Sequence, residues 1–519
     1  MSRRKKRKRA TTQAAKTQLS ERQRVKDRLE KRAMRNILAK LSAYDGARSN
    51  RLTTDWSVTS GSPDTDLLAD LPLLRERSRE LIRNDGLARS AINAYVDNVV
   101  GSGLRPQIHV DYERLGISQA QADEYAHAGE ESFARWSRIS DSTFRVNSFG
   151  ELQREVLSQR LANGDTFSVP LMLDDLGREY SLAIELVEAD RVSTPSGHEY
   201  EDKMRDGVEI GGRGEPVAYH VRSEHPGNQL GLKPEDWTRV QRVNISGRLN
   251  LLHHYVPTRG SSRGEPLLTP VLREFHDRRS MLVAERVAAR ASACIAMVIQ
   301  TPTGEAFQES LTADGLTEEL QPGLKHYLAP GETLSQFDPK RTDGLAAFIE
   351  ITDRTIGQGV NLSYGTLTRD TSKSNFSNAR TELIADRRVF TSMQKWLAAS
   401  FCQPYLELHL EESWLRGELP MIPGLAFYDA PSEWCRCDWV GDGWDWVDPL
   451  KDVNATVIAI ENGLESRTQA LMKLGRDPER IQRDLEREAE ARAALVPEMA
   501  EEDDAEETAD EPQEVTSDN

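Results

Sequence analysis

The chain has little of what disulfide scaffolds, membrane proteins and secreted proteins need. Its 519 residues contain only four cysteines, too few for a disulfide scaffold of this length, so we expect folding in a reducing cytoplasm. The longest strongly apolar run, residues 291–299, is far shorter than the roughly 20 residues that cross a bilayer. The basic N-terminus has no apolar segment like that of a secretory signal. We therefore expect no membrane partner.

Sequence motifs of common enzyme classes are also scarce. The chain has no Gly-x-x-x-x-Gly-Lys-Ser/Thr loop for a nucleotide and no His-Glu-x-x-His pair for zinc. Residues 260–264 (GSSRG) do fit the Gly-x-Ser-x-Gly elbow of hydrolases, with Ser262 as the nucleophile. Such an elbow needs a strand running straight into a helix, whereas proline on both sides of this segment indicates a turn. A serine hydrolase or protease using Ser262 remains the enzymatic alternative, although we expect His253 and His254 to be ordinary strand-end residues.

Cysteine, aspartate and tryptophan cluster in residues 434–448, which raises the question of a metal. The spacing of Cys435 and Cys437 is Cys-x-Cys, not the Cys-x-x-Cys of zinc knuckles, and neither a second pair nor a histidine lies nearby. The aromatic residues favour a packed strand or turn. We predict no metal and no cofactor.

Charge is distributed unevenly along the chain, whose formal net charge is -17. Residues 1–35 carry 15 Lys/Arg against 3 Asp/Glu, whereas residues 498–519 carry 11 acidic residues and no basic ones. Neither end has a periodic apolar face, so we expect both to be disordered. Residues 3–9 (RRKKRKR) could be an arm that touches nucleic acid or a capsid partner, or a solvated tail. The part between the ends is still acidic and is not a typical basic nucleic-acid binder.

Residues 77–107 (RSRELIRNDGLARSAINAYVDNVVGSGLRPQ) read as an amphipathic helix that stops at Gly101 and Gly103. Its apolar residues recur at helical spacing: Leu81, Ile82, Leu87, Ala91, Ile92, Tyr95, Val96 and Val99. Helix packing does not require the order Arg83-Asn84 followed by Val99-Val100-Gly101-x-Gly103-Leu104-Arg105. This order is therefore a sequence feature that can mark a protein family.

Three further segments come in order along the chain: 255–270 (YVPTRGSSRGEPLLTP), 362–380 (LSYGTLTRDTSKSNFSNAR) and 446–467 (WVDPLKDVNATVIAIENGLESR). Together with residues 77–107 they resemble sequence elements of the lambda-type phage portal proteins. The shared features are an Arg-Gly turn before a helix, a Tyr-x-x-Leu-x-x-Asp loop, and C-terminal Asp-Pro-x-Lys-Asp and Gly-Leu-x-Ser-Arg elements. The four matches span about residues 75–475.

The resemblance implies an α+β phage portal fold with long stem helices, a β-rich clip insertion, an α/β wing and a helical C-terminal crown. The clip agrees with apolar, β-branched runs at 166–173, 181–187 and 217–221 separated by Gly and Asp turns. The expected parts are a basic arm (1–45), the wing (46–146 and 300–363), two stem helices (147–164 and 266–299), the clip (165–265), a tunnel loop (364–378), a long kinked helix and wing end (379–447), the crown (448–496) and an acidic tail (497–519).

Two sets of residues are candidates for contact with DNA. The second stem helix carries Arg278, Arg279, Arg286 and Arg290. These arginines could face a channel, or could pair between subunits with Glu274, Asp277 and Glu285. The tunnel loop that the resemblance implies carries Arg369, Ser372, Lys373, Ser374 and Asn375. Contacts with phosphates would be independent of DNA sequence, although the segment could also be a plain exposed loop.

The function implied is a portal without chemistry of its own: a homo-oligomeric ring, twelve subunits in the family, at one capsid vertex of the virion. Double-stranded viral DNA would pass through it during packaging and ejection. The implied partners are the terminase large subunit, the major capsid and scaffold/protease proteins, and head-completion proteins. The third alternative is a capsid-associated interaction protein that does not touch DNA.

Overall fold

A computed structural model describes residues 58, 60–146, 148–198, 201, 203–228, 236–293, 297–300, 333–336, 344–372, 374–444, 449–476 and 478–495. The chain divides into two units, Met1–Ser62 and Pro63–Asn519. In the first unit only residues 58 and 60–62 are described, and Val58 is exposed. The predicted basic arm and acidic tail, Cys294 and Lys373 lie outside the described residues. The described helices and strands all belong to the second unit.

Helices make up most of the second unit. They are α1 (Pro63–Leu67), α2 (Leu71–Asn84), α3 (Gly86–Val99), α4 (Tyr112–Leu115), α5 (Gln119–Trp136), α6 (Phe149–Asn163), α7 (Leu272–Ala293), α8 (Leu345–Gly359), α9 (Tyr364–Thr368), α10 (Phe376–Leu397), α11 (Gln403–Leu415), α12 (Pro431–Trp434), α13 (Pro449–Glu461), α14 (Arg467–Lys473) and α15 (Pro478–Leu495). None of the described helices is long and apolar enough to cross a membrane.

The strands form two larger sheets and two pairs. They are β1 (Arg105–Ile108), β2 (Asp165–Met172), β3 (Leu182–Val187), β4 (Met204–Arg205), β5 (Val208–Ile210), β6 (Pro216–Arg222), β7 (Trp237–Gln241), β8 (Leu252–Tyr255), β9 (Met297–Gln300), β10 (Thr333–Gln336) and β11 (Cys437–Val440). The orders are β3-β2-β8 and β4-β5-β6-β7, with β1 against β11 and β9 against β10. All the pairings described are antiparallel. The three strands predicted in the clip are confirmed, and they fall into two different sheets.

The single helix predicted across residues 77–99 is two helices. Asp85 stands between them in an extended conformation, and its carboxylate accepts hydrogen bonds from the backbone N–H groups of Leu87 and Ala88. An aspartate in this position caps the start of a helix. The break leaves α3 with its small and apolar residues buried in the main core, where it packs against α2, α6 and α10.

The second stem helix is shorter than predicted. It ends at Ala293, and residues 297–300 form β9 rather than the last turn of a helix. β9 pairs with β10, so a partner far along the chain determines the conformation of this apolar run. Helical periodicity cannot distinguish such a short run from a strand.

The chain remains helical through Pro404, although proline usually bends or ends a helix. Between α10 and α11 the chain forms a π-helical turn, Ala398–Cys402, and Pro404 lies in the first turn of α11, where a missing backbone N–H is tolerated. Phe401, Cys402, Tyr405 and Leu406 in this region are all buried. The helical path therefore runs without a break from Phe376 to Leu415 and passes through the core.

Candidate DNA-channel segments

The predicted tunnel loop is anchored to α10 by one buried carboxylate. Asp386 accepts hydrogen bonds from the Ser363 backbone N–H (3.0 Å), the Ser363 hydroxyl (2.7 Å) and the Thr366 hydroxyl (2.5 Å). Ser363 is also the N-cap of α9. The first part of the predicted loop is therefore helical, and the connection between α9 and α10 is residues 369–375.

The candidate contact residues occupy different positions in that connection. Arg369 ends α9 with a left-handed backbone (φ +57°), and both it and Ser372 are exposed. Ser374 is half-buried. Asn375 is exposed, but its side-chain carbonyl accepts a hydrogen bond from the Asn378 N–H and caps α10. Exposure makes Arg369 and Ser372 accessible to a ligand, whereas Asn375 has a structural task.

The arginines of α7 divide into two kinds. Nε of Arg278 donates to Oδ1 of Asp353 on α8 at 2.5 Å, and Arg279 forms an ion pair with Glu80 on α2 at 2.8 Å. Both pairs are within the subunit and neither uses the acidic residues proposed from the sequence. Arg286 and Arg290 are exposed. Of the four, Arg278 is half-buried and Arg279 is exposed but paired, whereas Arg286 and Arg290 are exposed without an ion pair to any described residue.

A buried charge cluster, which sequence reasoning missed, lies where α2, α6, β2 and the residue 259–264 turn meet. Asp165, fully buried at the start of β2, accepts from Nε of Arg263 at 2.6 Å and from Nη2 of Arg75 at 2.8 Å. His253 Nε2 lies 3.2 Å from the same carboxylate. Arg263 also donates to the carbonyls of Val192, Ala189 and Asp206. The Asp165 carboxylate thus joins the 259–264 turn to α2.

The electrostatics of this cluster favour a fixed charge on Asp165. Burial alone would raise the pKa of its carboxyl, but the charges of Arg263 and Arg75 outweigh burial and hold that pKa well below its ordinary value. Burial lowers the pKa of His253 to about 4 against the opposing effect of Asp165. The cluster is therefore an anion between two arginines, with a neutral imidazole near pH 7.

Two glycines allow the chain to close around this cluster. A Cβ on Gly164 (φ +92°) would lie 2.3 Å from the Gly264 carbonyl oxygen, and one on Gly264 would lie 2.0 Å from the Gly164 carbonyl oxygen. The two backbones touch at positions where no side chain fits. The sequence showed the Arg-Gly turn at 263–264, but Asp165 is 98 residues from Arg263, and no local pattern connects them.

Ser262 is not arranged as a nucleophile. Its hydroxyl donates to Oδ2 of Asp64 at 2.8 Å, and its N–H donates to Oδ1 of the same carboxylate at 2.7 Å. The neighbouring histidines are engaged elsewhere: His253 with Asp165, and His254 with the Ser168 hydroxyl at 2.7 Å. The residue 259–264 turn is thus tied to the start of α1, which is a structural role.

The cysteine-rich segment forms the expected strand. β11 pairs with β1 in the register Cys437 to Ile108, and the Cys437 thiol donates to Oε1 of Gln403 at 3.1 Å. Cys402, Cys435 and Cys437 are free thiols, and burial raises the pKa of each. Among the described residues, the group with metal-ligand geometry is instead Glu188, Asp190 and His225, where Arg79 already pairs with both carboxylates.

Comparison with known proteins gives one family. The family model described as phage portal protein, lambda family, matches residues 49–394. Portal protein B of Escherichia phage lambda is 26% identical over 458 residues, covering 82% of this chain and 85% of that protein. The portal protein of Escherichia phage N15 is 26% identical over 472 residues, covering 85% and 88%.

Chains in gene transfer agent (GTA) particles are among the solved structures that match. A chain in the virion of the native GTA particle is 12% identical with a TM-score of 0.45, covering 79% of this chain and 94% of that one. A chain in the neck of the native particle, computed with C12 symmetry, has a TM-score of 0.41 at 12% identity, covering 77% and 94%. The match of the family model over most of the chain shows that this protein belongs to the lambda family of phage portal proteins, which are structural proteins of the virion and not enzymes.

Proposed function

We propose that this chain assembles into a ring of twelve identical subunits at one capsid vertex, through which double-stranded viral DNA enters during packaging and leaves during ejection. The observation that carries the proposal is that the family match at residues 49–394 contains both α7 and the connection 369–375, in which Arg369 and Ser372 are exposed. The proposal thus uses two separate elements of the same family segment, one for the wall of the channel and one for the contact with DNA.

Two features support a mechanism in which the protein binds DNA without recognising its base sequence. Arg369 and Ser372 are exposed and can reach phosphate oxygens, and phosphate contacts carry no sequence information. The chain as a whole is acidic, at -17. Because each neutralised phosphate adds salt-sensitive affinity, a few cations in an acidic wall would permit sliding. Arg286 and Arg290 are the further cations available on α7.

The β-rich clip is the part we assign to docking. The four-stranded sheet of β4 to β7 has its own small apolar core of Val192, Val208, Tyr219 and Val221 together with Phe167, Val187 and Leu251. A module with its own core can present a firm surface to the terminase large subunit during packaging and to head-completion proteins afterwards. Contacts with the major capsid and scaffold/protease proteins belong to the wing in this proposal.

Electron microscopy of the purified full chain tests the ring. We expect closed rings with a central hole of at least about 20 Å, the width that a duplex needs, and twelve-fold symmetry in top views. A compact oligomer without a hole, seen with and without scaffold protein at several concentrations, would contradict the proposal and favour a capsid-associated protein that does not contact DNA.

A further inference from the structure

The outward face of α10 continues from the proposed DNA-contacting connection as a basic stripe. Residues three and four apart lie on one face of a helix, and this rule places the following residues of α10 together: Ile384, Arg387, Arg388, Thr391, Ser392 and Lys395. The opposite face carries Asp386, Phe390 and Leu397, all buried. The stripe is therefore the side of the helix that the core leaves open.

This stripe lines an open depression of about 800 Å³, to which α14 adds Lys473. Of the seven described residues that line the depression, four are cationic, two are hydroxyl-bearing and none is acidic. The chain as a whole has more acidic than basic residues, so this lining has the opposite charge balance. It suits a ligand with several negative charges.

Two of the four cations in this depression have no charged partner among the described residues. Arg388 and Lys395 are exposed, and neither side chain has an ion pair or hydrogen bond to any described residue. Arg387 lies over the Trp444 ring, 5.7 Å from its centroid, which holds its guanidinium in place. Lys473 pairs with Glu465 at 2.8 Å, but 72% of its side chain is exposed and can meet a second anion. Desolvation would therefore not prevent binding of an anion here.

We propose that this face of α10, centred on Arg388 and Lys395, binds the phosphate backbone of duplex DNA and extends the contact made by the connection 369–375. The inference rests on the proposed function. Arg388 and Lys395 are separated by seven residues, about 10 Å along the helix, which is close to the axial rise of three base pairs. Ser392, between them, supplies a hydroxyl donor for a phosphate oxygen, whereas the Thr391 hydroxyl already donates to the Arg387 carbonyl.

Continuity with the connection favours DNA over the other polyanion available, the acidic segment 497–519 of the chain itself. The stripe and the connection share α10, whose N-cap is Asn375 and whose first turn comes directly after the exposed residues. At its start Arg380 pairs with Asp452 at 2.8 Å, so the free charge lies at Arg388 and Lys395. Binding of the acidic segment is the competing outcome that the experiment separates.

The test measures binding of a fluorescent 30-base-pair duplex by the full chain over a series of salt concentrations. The variant is Arg388→Gln with Lys395→Gln. The matched control is Arg77→Gln with Arg138→Gln, which removes two exposed arginines elsewhere. Because log K falls with log salt by about 0.9 per phosphate contact, the variant should lose close to two from the slope, and roughly ten- to a hundredfold in affinity near 0.1 M salt. The control should keep the wild-type slope.

Each alternative outcome is distinct. If the wild-type chain and rings do not bind duplex at all, the proposed function fails and this inference fails with it. If duplex binds and the α10 variant retains the wild-type slope, only the inference is overturned. The inference is also overturned if the difference between wild type and variant disappears when residues 497–519 are deleted from both proteins. It is overturned as well if inorganic phosphate at millimolar concentration displaces the duplex from the wild type and so reproduces the effect of the variant. Ring formation by the variant, checked by mass photometry, excludes loss of fold as the cause.

Discussion

Nε of Arg263 donates to Oδ2 of Asp165 across 2.6 Å, and neither side chain has any exposed surface. The pair joins the 259–264 turn to the first residue of β2, and Arg75 of α2 binds the other oxygen of the same carboxylate. Because the two arginines and the carboxylate come from three separate parts of the chain, the cluster fixes the start of β2 and the 259–264 turn relative to α2.

Removing one partner of this pair should be costly. We expect Arg263→Ala, or Asp165→Asn, to lower the free energy of unfolding by about 3–5 kcal/mol, since either change leaves an uncompensated buried charge. The control is Arg259→Ala, whose 3.2 Å pair with Asp66 is largely exposed and should contribute less than about 1 kcal/mol. Urea unfolding followed by circular dichroism measures both. Equal losses of unfolding free energy in the buried-pair variants and in Arg259→Ala would show that burial does not determine how much the pair contributes to stability.

Two buried histidines predict a loss of stability in acid. Burial lowers the pKa of His254 and of His409 to about 3, whereas in the unfolded chain both have the ordinary value of about 6.5. Between these values the unfolded chain binds protons that the folded chain does not. Stability should therefore fall as pH drops from about 6.5 towards 3, by about 1.4 kcal/mol per pH unit for each histidine.

The variant His409→Gln isolates one of these contributions. The Nε2 atom of His409 lies 3.1 Å from the Ser132 hydroxyl, and glutamine keeps a polar group there without the titration. The plot of unfolding free energy against pH should become shallower between pH 6 and pH 4 than in the wild type. The control His276→Gln changes a side chain that is 79% exposed and should leave the slope as it is. An unchanged slope in His409→Gln would disprove the assignment.

The arginines of α7 should differ in how much each contributes to the free energy of unfolding. Arg278→Ala breaks the half-buried pair with Asp353 and should cost roughly 1.5–3 kcal/mol, the range for a hydrogen bond to a charged group. Arg286→Ala and Arg290→Ala change exposed side chains and should stay within about 0.5 kcal/mol. If the last two lose as much stability as the first, their side chains are structural, and the proposal that they face the channel loses its basis.

Ser262→Ala tests the hydrolase alternative directly. The change removes one hydrogen bond to Asp64 but leaves the backbone N–H bond to the same carboxylate, so we expect a loss of about 1 kcal/mol. Rings should still form in electron micrographs. An esterase or protease activity in the wild type that this variant lacks would be incompatible with a purely structural role.

Neutralising Arg369 and Lys373 together should reduce DNA packaging without preventing assembly of the ring. Arg369 is exposed in a left-handed conformation that glutamine can adopt at modest cost, so Arg369→Gln with Lys373→Gln should leave the ring intact. The packaged DNA per particle, measured as nuclease-resistant genome copies, should fall several-fold, whereas Arg138→Gln should have no effect. Unaltered packaging would remove both residues from the set of DNA contacts.

Local rules predicted the elements whose ends are marked in the sequence. Ser148 caps α6 and Gly164 ends it, close to the bounds 147–164 that the resemblance implied for the first stem helix. Asp85 is also a recognisable cap, and the break that it causes could have been foreseen. The end of α7 could not, because β9 depends on pairing with β10. The Asp165 cluster likewise could not be predicted from a local pattern, because its residues are far apart in the chain.

The pairing of β1 with β11 has a consequence for biosynthesis. Arg105 lies opposite Val440 in that ladder, so the strand that comes after the first long helices has no partner until the ribosome has made most of the polypeptide. Until then the edge of β1 and the apolar residues beside it are exposed to other nascent chains, and such unpaired edges promote aggregation. We therefore expect the slow, chaperone-sensitive stage of maturation to come after synthesis of β11, and subunits cut short before it to be insoluble.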